Sequence, residues 1–578
     1  MTPGKPLVTD PASRADRRAQ TPPPRLAFMM SLRAVHAGTG YQYLLRSVAT
    51  HDADPQGQSL SDYYAAKGTP PGRWIGSGLT GLASENAISG SVVTEAQMAA
   101  LYGEGLHPDT DDLMESGTPL SACKLGRSYS LYASGVPVLA AIDAAEKAFV
   151  SGEGRRPTTD EKGQIAESVG RGFYTEQFGY DHASGRDVIA WVNRERDKVR
   201  QAVAGFDFTF SPVKSVSVWW AMADEHTASH IAALHHEAVA EALTWAENNA
   251  VYTRVGTNGI EQVSTGGIVA SEFTHFDTRG GDPDLHSHVL IANKVQGPDG
   301  RWRTLDSRAI HQMHQAISAR YDAVLHDLIT RRMGARFVAH YPHRDKAPIW
   351  EVAGIDRRLI DAFSSRRTLA RPVYDRLVTE YVQANGRQPS QRAAYALWQK
   401  AILDTRDAKK PAQSLDEHRQ TWHKVAAERI GQDALAAMLS GVRGAGAEQD
   451  RPLYSGSEHA TDVATKAVRA VTSQRAQFRQ SHVDTAVSTV LKGYRFASAG
   501  DLEQAHSQVM EEAMGAHVVA LTPPEMLDLP EALTGESGAG VDRADRDLGA
   551  VGRRHGGEDL PPAVRGRLDG VAHVRSSR

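Results

Sequence analysis

Cysteine is nearly absent: among 578 residues only Cys123 carries a thiol. One thiol excludes an intramolecular disulfide framework and a thiolate-rich zinc or iron–sulfur site, and it fits a reducing compartment. Long apolar runs are missing too. No stretch approaches the length a membrane helix needs, and Met1 to Phe28 lacks the hydrophobic core of a signal peptide, so a cytoplasmic chain with no membrane insertion is expected. Nor is there an excess of one charge. The 65 Lys+Arg against 69 Asp+Glu leave a net charge of -4, so any affinity for nucleic acid must come from local features. Finally, no Gly-x4-Gly-Lys-Ser/Thr phosphate loop occurs, which excludes ATP hydrolysis by that route.

What is present separates into regions. Residues 1 to 28 are rich in Pro, Thr and Arg and have no apolar period, so a disordered leader is expected. From Met29 or Met30 to about Ala339, short alternating stretches mix with amphipathic helices, an α+β pattern. One such helix shows Ile231, Leu234, Ala238, Ala242 and Trp245; another shows Ile317, Tyr321, Val324, Leu325 and Leu328 and stops before Gly334, a suitable residue just past a helix end. Residues 350 to about 515 read as mostly helical and polar. The last stretch, 541 to 578, contains eight Arg, no Lys and no aromatic residue, and cannot supply much of a core.

The segment from Phe273 to Asn293 carries the metal chemistry. His286 and His288 stand two apart at the start of an apolar run, so on a strand both imidazoles point to one face. His275 lies eleven residues earlier, across Gly280, Gly281 and Pro283, the length of a hairpin. Two histidines alone are ordinarily surface residues. Three on one sheet face make a nitrogen site that holds a divalent cation and leaves positions open for a substrate oxygen. The helical His-Glu-x-x-His of zincins is absent, and no Glu follows in Ile291-Ala-Asn-Lys294 to make a cupin site.

In Gly205-Phe-Asp-Phe-Thr-Phe-Ser-Pro-Val-Lys-Ser215, alternation puts Phe206, Phe208 and Phe210 on one face and Asp207 and Thr209 on the other. Asp207 is a candidate either to hold a ligand imidazole in the right tautomer or to take a proton from an attacking hydroxyl. Taken alone it reads first as an ordinary solvated strand residue. Ser211 as N-cap and Pro212 as first residue would begin a helix whose free amides, near Lys214 and Ser215, suit a phosphate. Tyrosines form two clusters, Tyr41 with Tyr43 and Tyr63 with Tyr64. A phenol can attack a phosphodiester when a metal draws charge from the phosphoryl oxygens and a base accepts its proton, although paired tyrosines more often pack or stack.

The tyrosine clusters, Gly-Phe-Asp-Phe-Thr-Phe-Ser-Pro-Val-Lys-Ser and His-x10-His-x-His, in that order, resemble the TrwC/TraI relaxases, the MobF class of His-hydrophobe-His endonucleases. Arg73-Trp74-Ile-Gly-Ser-Gly78, Trp302-Arg-Thr-Leu-Asp306, Phe363-Ser-Ser-Arg-Arg367, Gln388-Pro-Ser390 and Thr405-Arg406 extend the resemblance over roughly residues 29 to 440. It implies a five-stranded antiparallel palm with packed helices at 29–345 and a helical lid at 346–440. A helical remnant of the start of a helicase region would follow at 441–540, then a disordered tail at 541–578. It also implies His275, His286 and His288 as ligands of Mg²⁺, Mn²⁺ or Zn²⁺, Asp207 as their paired carboxylate and Arg279 as an active-site arginine. The activity implied is nicking of one strand at a plasmid transfer origin to give a 5′-phosphotyrosine. Implied partners are single-stranded or supercoiled plasmid DNA, a type IV secretion coupling protein and relaxosome accessory proteins. Position favours Tyr41 for the first cut and Tyr63 or Tyr64 for the second. The missing phosphate loop and the patternless end suggest a truncation or frameshift. Rival readings are a rolling-circle replication initiator nuclease and a non-cleaving DNA-binding remnant.

Overall fold

The computed structural model describes residues 29–45, 71–129, 135–179, 183–341, 348–406, 413–444, 451–516, 518–520 and 572–574. The leader 1–28, the pair Tyr63 and Tyr64, and all of the tail 541–578 except Ala572–Val574, which pairs with Val518–Ala520, lie outside the described residues.

Five strands build one antiparallel sheet: β1 (Met30–His36), β2 (Arg73–Ile75), β3 (Val203–Phe210), β4 (Ala270–Asp277) and β5 (Pro283–Ala292). Their order across the sheet is β1-β3-β5-β4-β2. The α+β palm implied by the sequence is therefore present. Alternation along the strands decides which face each residue serves. Phe206, Phe208 and Phe210 of β3, with Leu285, Val289 and Ile291 of β5, enter the main core. Each buried phenylalanine ring contributes about 1.5–3 kcal/mol by leaving water.

Between β1 and β2 lies the short helix α1 (Gln42–Leu45). Between β2 and β3, α2 (Pro137–Glu153), α3 (Thr159–Phe178) and α4 (Gly185–Asp197) close their own small core around Val138, Ile142, Trp191 and Val192. Thr158 and Ser184 cap α3 and α4 through their side chains. Two long helices, α6 (Glu225–Ala250) and α7 (Ser307–Met333), cover the phenylalanine face; α6 follows directly on α5 (Lys214–Met222). The periodic residues Ile231, Leu234, Ala238 and Ala242 of α6, and Ile317, Tyr321, Val324, Leu325 and Leu328 of α7, are all buried as their spacing requires. Trp245 is only partly so.

After the strand pair β6 (Phe337–His340) and β7 (Ile349–Val352) come the antiparallel helices α8 (Ser365–Asn385) and α9 (Gln391–Asp404), then α10 (Leu415–Ile430). Helices α11 (Gly456–Thr472), α12 (Gln480–Leu491) and α13 (Ala499–Ala516) join the main core on the outer side of α7. This explains why Arg320, Asp322, His326 and Asp327 of α7 are buried along with its apolar stripe. Among the described residues no helix is long and apolar enough to cross a membrane.

Candidate active site

The face of the sheet opposite the phenylalanines is divided along its own strands. On β5, Leu290 and Ala292 pack into a second core with Trp74, Met98, Leu101 and Tyr102, while His286 and His288, the same face two and four residues earlier, stay outside it. On β4, Phe273 joins that core and His275 does not. His275 and His286 are direct cross-strand partners, and His288 is the partner of Thr209 on β3.

Register alone thus brings the three imidazoles together. Their ring centroids stand 5.2 Å (His275 to His286), 4.8 Å (His275 to His288) and 5.2 Å (His286 to His288) apart. Each offers a nitrogen within 4.8 Å of the others, and among the described residues this is the one such group of three His, Cys, Asp or Glu side chains. Two of the rings are oriented by partners at Nδ1. His286 Nδ1 lies 2.7 Å from the carbonyl oxygen of Asp284, and His288 Nδ1 lies 3.0 Å from both Asp207 carboxylate oxygens and 3.2 Å from Thr209 Oγ1. Donation from Nδ1–H leaves Nε2 with its lone pair free for a cation. Burial pulls the His286 pKa below its ordinary value, although the Asp284 carboxylate works against it, which keeps that ring neutral and able to ligate. The donor set fits a divalent ion.

Asp207 is itself buried, and it touches a second chemical group. Tyr43 donates its hydroxyl to Asp207 Oδ2 at 2.5 Å, and its ring meets His288 edge-on at 6.1 Å between centroids. Burial first, then the negative charge of Asp207 and the hydrogen bond to it, raise the Tyr43 pKa far above that of a free phenol; Arg33, 5.3 Å above the ring, pulls the other way. The phenol is therefore protonated at rest, with a carboxylate already placed to receive its proton.

Tyr41, favoured by position, points elsewhere. It is packed in the second core, and burial together with the charges of Glu95 and Glu104 raises its pKa. The cause lies in the turn after β1. A Cβ on Gly40 would come within 2.2 Å of the carbonyl oxygen of His36, so only glycine permits the chain to fold back this tightly and bring Tyr43 over Asp207.

Lys214 and Ser215, the expected phosphate-binding pair, are engaged with neighbouring protein groups. The helix starts at Lys214 with Val213 at its cap, later than the Ser211 cap the sequence suggested. Lys214 Nζ donates to the carbonyl of Pro283 at 2.6 Å, and partial withdrawal of this half-buried side chain from water lowers its pKa. The Ser215 amide donates to Glu351 Oε2 at 3.2 Å, and its hydroxyl oxygen accepts from the amide of Val352 at 2.8 Å. These groups are used to hold the β4–β5 hairpin and β7 in place. Arg279 is exposed in the hairpin turn.

Several contributors escape a reading of the sequence. Arg33 gave a faint signal, as an outward residue on an alternating strand opposite Asp207. Others gave none, because they come from far along the chain. Trp422 on α10 donates Nε1–H to the carbonyl of Gly281 at 2.7 Å, and His418, stacked on Trp422, lies 3.5 Å from Asp277. Asp282 Oδ2 accepts from the amide and hydroxyl of Ser365 at 3.0 and 2.6 Å. Behind the sheet, buried His235 sits 3.0 Å from Ser287 Oγ and 2.8 Å from the Tyr321 hydroxyl, bracing β5 between the two histidines.

The family model for TrwC relaxase matches residues 37–429. Two multifunctional conjugation proteins TraI, from Escherichia coli and from its strain K12, are each 26% identical over 369 and 376 residues, 60% and 61% of this chain. The chain spans 19% of the length of either relative. Among solved structures, the conjugative relaxase TrwC in complex with oriT DNA is similar in its metal-bound form, with 21% identity and a TM-score of 0.41. Its metal-free form gives 20% and 0.40, and each covers 69% of this chain and 98% of that one. Family membership rests on the match over more than half of the sequence: the chain is a TrwC/TraI-like relaxase of the MobF class and belongs to the TrwC relaxase family.

Proposed function

We propose that this protein nicks one strand of DNA at a plasmid transfer origin, using Tyr43 as the first nucleophile and leaving a 5′-phosphotyrosine. The observation that carries the reading is the chain Tyr43–Asp207–His288, which joins a phenol, a proton acceptor and a candidate metal ligand through two hydrogen bonds. The relatives' names, a conjugation protein and a conjugative relaxase bound to oriT DNA, support the same substrate.

In this mechanism Tyr43 Oη attacks the scissile phosphorus, its proton passes to Asp207, and the P–O3′ bond breaks in line, releasing a 3′ hydroxyl once the leaving oxygen is protonated. Asp207 has a second task, fixing the His288 tautomer. His275, His286 and His288 would hold a divalent cation, Mg²⁺ or Mn²⁺ with Zn²⁺ as the rival, which when bound stabilises negative charge on the phosphoryl oxygens. Tyr63 or Tyr64 serves a second cleavage. On this reading residues 29–345 are the catalytic palm and 346–440 a lid over the DNA. The partners are the transfer-origin DNA, a coupling protein of the secretion apparatus and relaxosome accessory proteins, in the cytoplasm.

The test incubates purified protein with labelled single-stranded oligonucleotides tiled across the plasmid's intergenic regions, with and without Mg²⁺ or Mn²⁺. A covalent adduct that maps to Tyr43, disappears in Tyr43→Phe and survives in Tyr41→Phe is expected. An adduct on Tyr41 would reverse the assignment, and no adduct on any oligonucleotide would refute the activity.

A further inference from the structure

On the outer side of α7 a buried arginine lacks the counter-charge that a cation withdrawn from water requires. Arg451, in the segment leading into α11, is only 6% exposed. Its guanidinium donates to neutral oxygens, Nη1 to the carbonyls of Lys492 and Tyr494 at 2.9 and 3.4 Å and Nη2 to Thr330 Oγ1 at 2.7 Å. Its Nε has no hydrogen-bond partner among the described residues. Burial, then the positive charge of Arg495, pull its pKa down to about 10 against the pull of Asp327, so at neutral pH the side chain is still a cation.

The nearby carboxylates are already engaged. Asp322 holds Lys492, and Asp327 accepts from Arg331 Nε at 2.8 Å. Arg495 donates its Nε to the carbonyl of Arg451 at 2.8 Å, and neither arginine forms an ion pair with a described carboxylate. Two positive charges are therefore left over. They line a cavity of about 10 Å³ together with His326, Thr330 and Lys492, which is room for one water-sized species. His326 is fully buried and stacked on Phe337, yet neither ring nitrogen has a hydrogen-bond partner; Nε2 stands 3.6 Å from Asp322, too far for a hydrogen bond. Burial, with the charges of Lys492 and Arg451, keeps this ring neutral, with one N–H to give. The Thr330 hydroxyl oxygen accepts from Arg451, and its own proton remains to be donated. A buried water needs acceptors as well as donors, whereas an anion needs only donors and positive charge.

We propose that this cavity is a binding site for a single monatomic anion, chloride, held by Arg451 Nε–H, the Thr330 hydroxyl and a ring N–H of His326. The ion supplies the charge that Arg451 lacks and fastens the segments flanking α11 and α12 to α7. Tetrahedral oxyanions are too large for the space. The site does not depend on the nuclease reading, and its test involves no DNA.

The full chain is unfolded in urea while chloride replaces gluconate at constant ionic strength, and the chloride NMR line width is recorded over the folded protein. An ion that binds the folded state alone lowers the unfolding equilibrium constant tenfold for each tenfold rise in chloride above the dissociation constant. Wild type should show that dependence and an excess line width that bromide competes away. Arg451→Gln and His326→Phe should lose both, while Arg469→Gln, at an exposed position on α11, should keep both. His326→Phe preserves a flat ring against Phe337 and removes the two unpartnered nitrogens, so in gluconate it should be at least as stable as wild type; it carries the test should Arg451→Gln fail to fold. Equal stability of wild type in chloride and gluconate with no excess line width would mean that the cavity takes a water. A chloride dependence that survives in the folded variants, or one that Arg469→Gln also loses, would place the ion elsewhere. Each of these results overturns the proposal.

Discussion

The molecule contains two clusters of histidine, carboxylate and cation, on opposite sides of the α6–α7 layer. On the open sheet face His275, His286 and His288 converge nitrogen to nitrogen, and Asp207 bridges one of them to Tyr43. Under α11 to α13, Arg320, Asp322, His326, Asp484 and His506 are buried between α7 and the later helices, with Lys492 half-buried beside them. The residue types are the same, but the geometry separates them. In the second cluster cations already face carboxylates, Lys492 against Asp322 and Arg320 against Glu503, and no three of its His, Asp or Glu side chains bring ligand atoms together as the three imidazoles do. Burial also lowers the His326 and His506 pKa values, the latter to about 3. One cluster gathers its nitrogens at a single point, the other closes an interface.

The largest expected effect tests the first half of that comparison. Replacing His286 or His288 by Ala removes one of three nitrogens, and adduct formation should be abolished while binding of DNA, which depends on phosphate contacts elsewhere, is largely retained. Calorimetric titration with Mn²⁺ is the direct check. Unchanged metal binding in both variants would mean that the triangle of imidazoles is not the metal site.

The second half is tested by Lys492→Met. Removing one partner of a buried ion pair leaves Asp322 uncompensated, at a cost of about 3–5 kcal/mol in unfolding free energy. Denaturant unfolding should show that loss, while the folded variant titrates Mn²⁺ like wild type. A parallel fall in metal affinity would show the two clusters to be coupled through α7.

A smaller effect is expected from Asp207→Asn. An amide can still accept from Tyr43 but no longer provides the charge that holds His288, and metal affinity should fall about 10- to 100-fold with little change in stability. If affinity is unchanged, Asp207 serves the phenol alone, and only the rate of adduct formation should drop.

How far the site was legible in the sequence follows the range of the interactions. His275, His286, His288 and Asp207 could be read because strand alternation and hairpin length are local rules, and the sheet obeys them. The choice between Tyr41 and Tyr43 turned on the fold of Gly38–Gly40, whose sharpness depends on the nearby His36 carbonyl rather than on any period. Ser365, His418 and Trp422 reach the hairpin from more than eighty residues away and leave no pattern in the chain. The buried charges of α7 were the least legible, since Arg320, Asp322 and Asp327 look like a solvent face until α11 to α13 cover them.

The interface cluster should also betray itself by its pH dependence. Burial raises the Asp484 carboxyl to about 7, against the opposing pull of Arg320. In the unfolded chain the same group titrates near its ordinary value of about 3.9. Between those two values the folded state keeps a proton that the unfolded state has lost, so the stability contributed by this group is fully present below about pH 4 and is lost as pH rises through about 7. The slope cannot exceed about 1.4 kcal/mol per pH unit, and about 2 kcal/mol between pH 5 and pH 7 is expected once partial compensation by Arg320 is allowed for. Asp484→Asn, which cannot ionise, should remove that part of the slope, so that the variant gains on wild type as pH rises. Paired urea titrations at the two pH values measure the difference directly. Parallel curves for the two proteins would mean that Asp484 is ionised and fully satisfied by Arg320 in the folded chain, and the second cluster would then be an ordinary ion-pair network instead of a desolvated one.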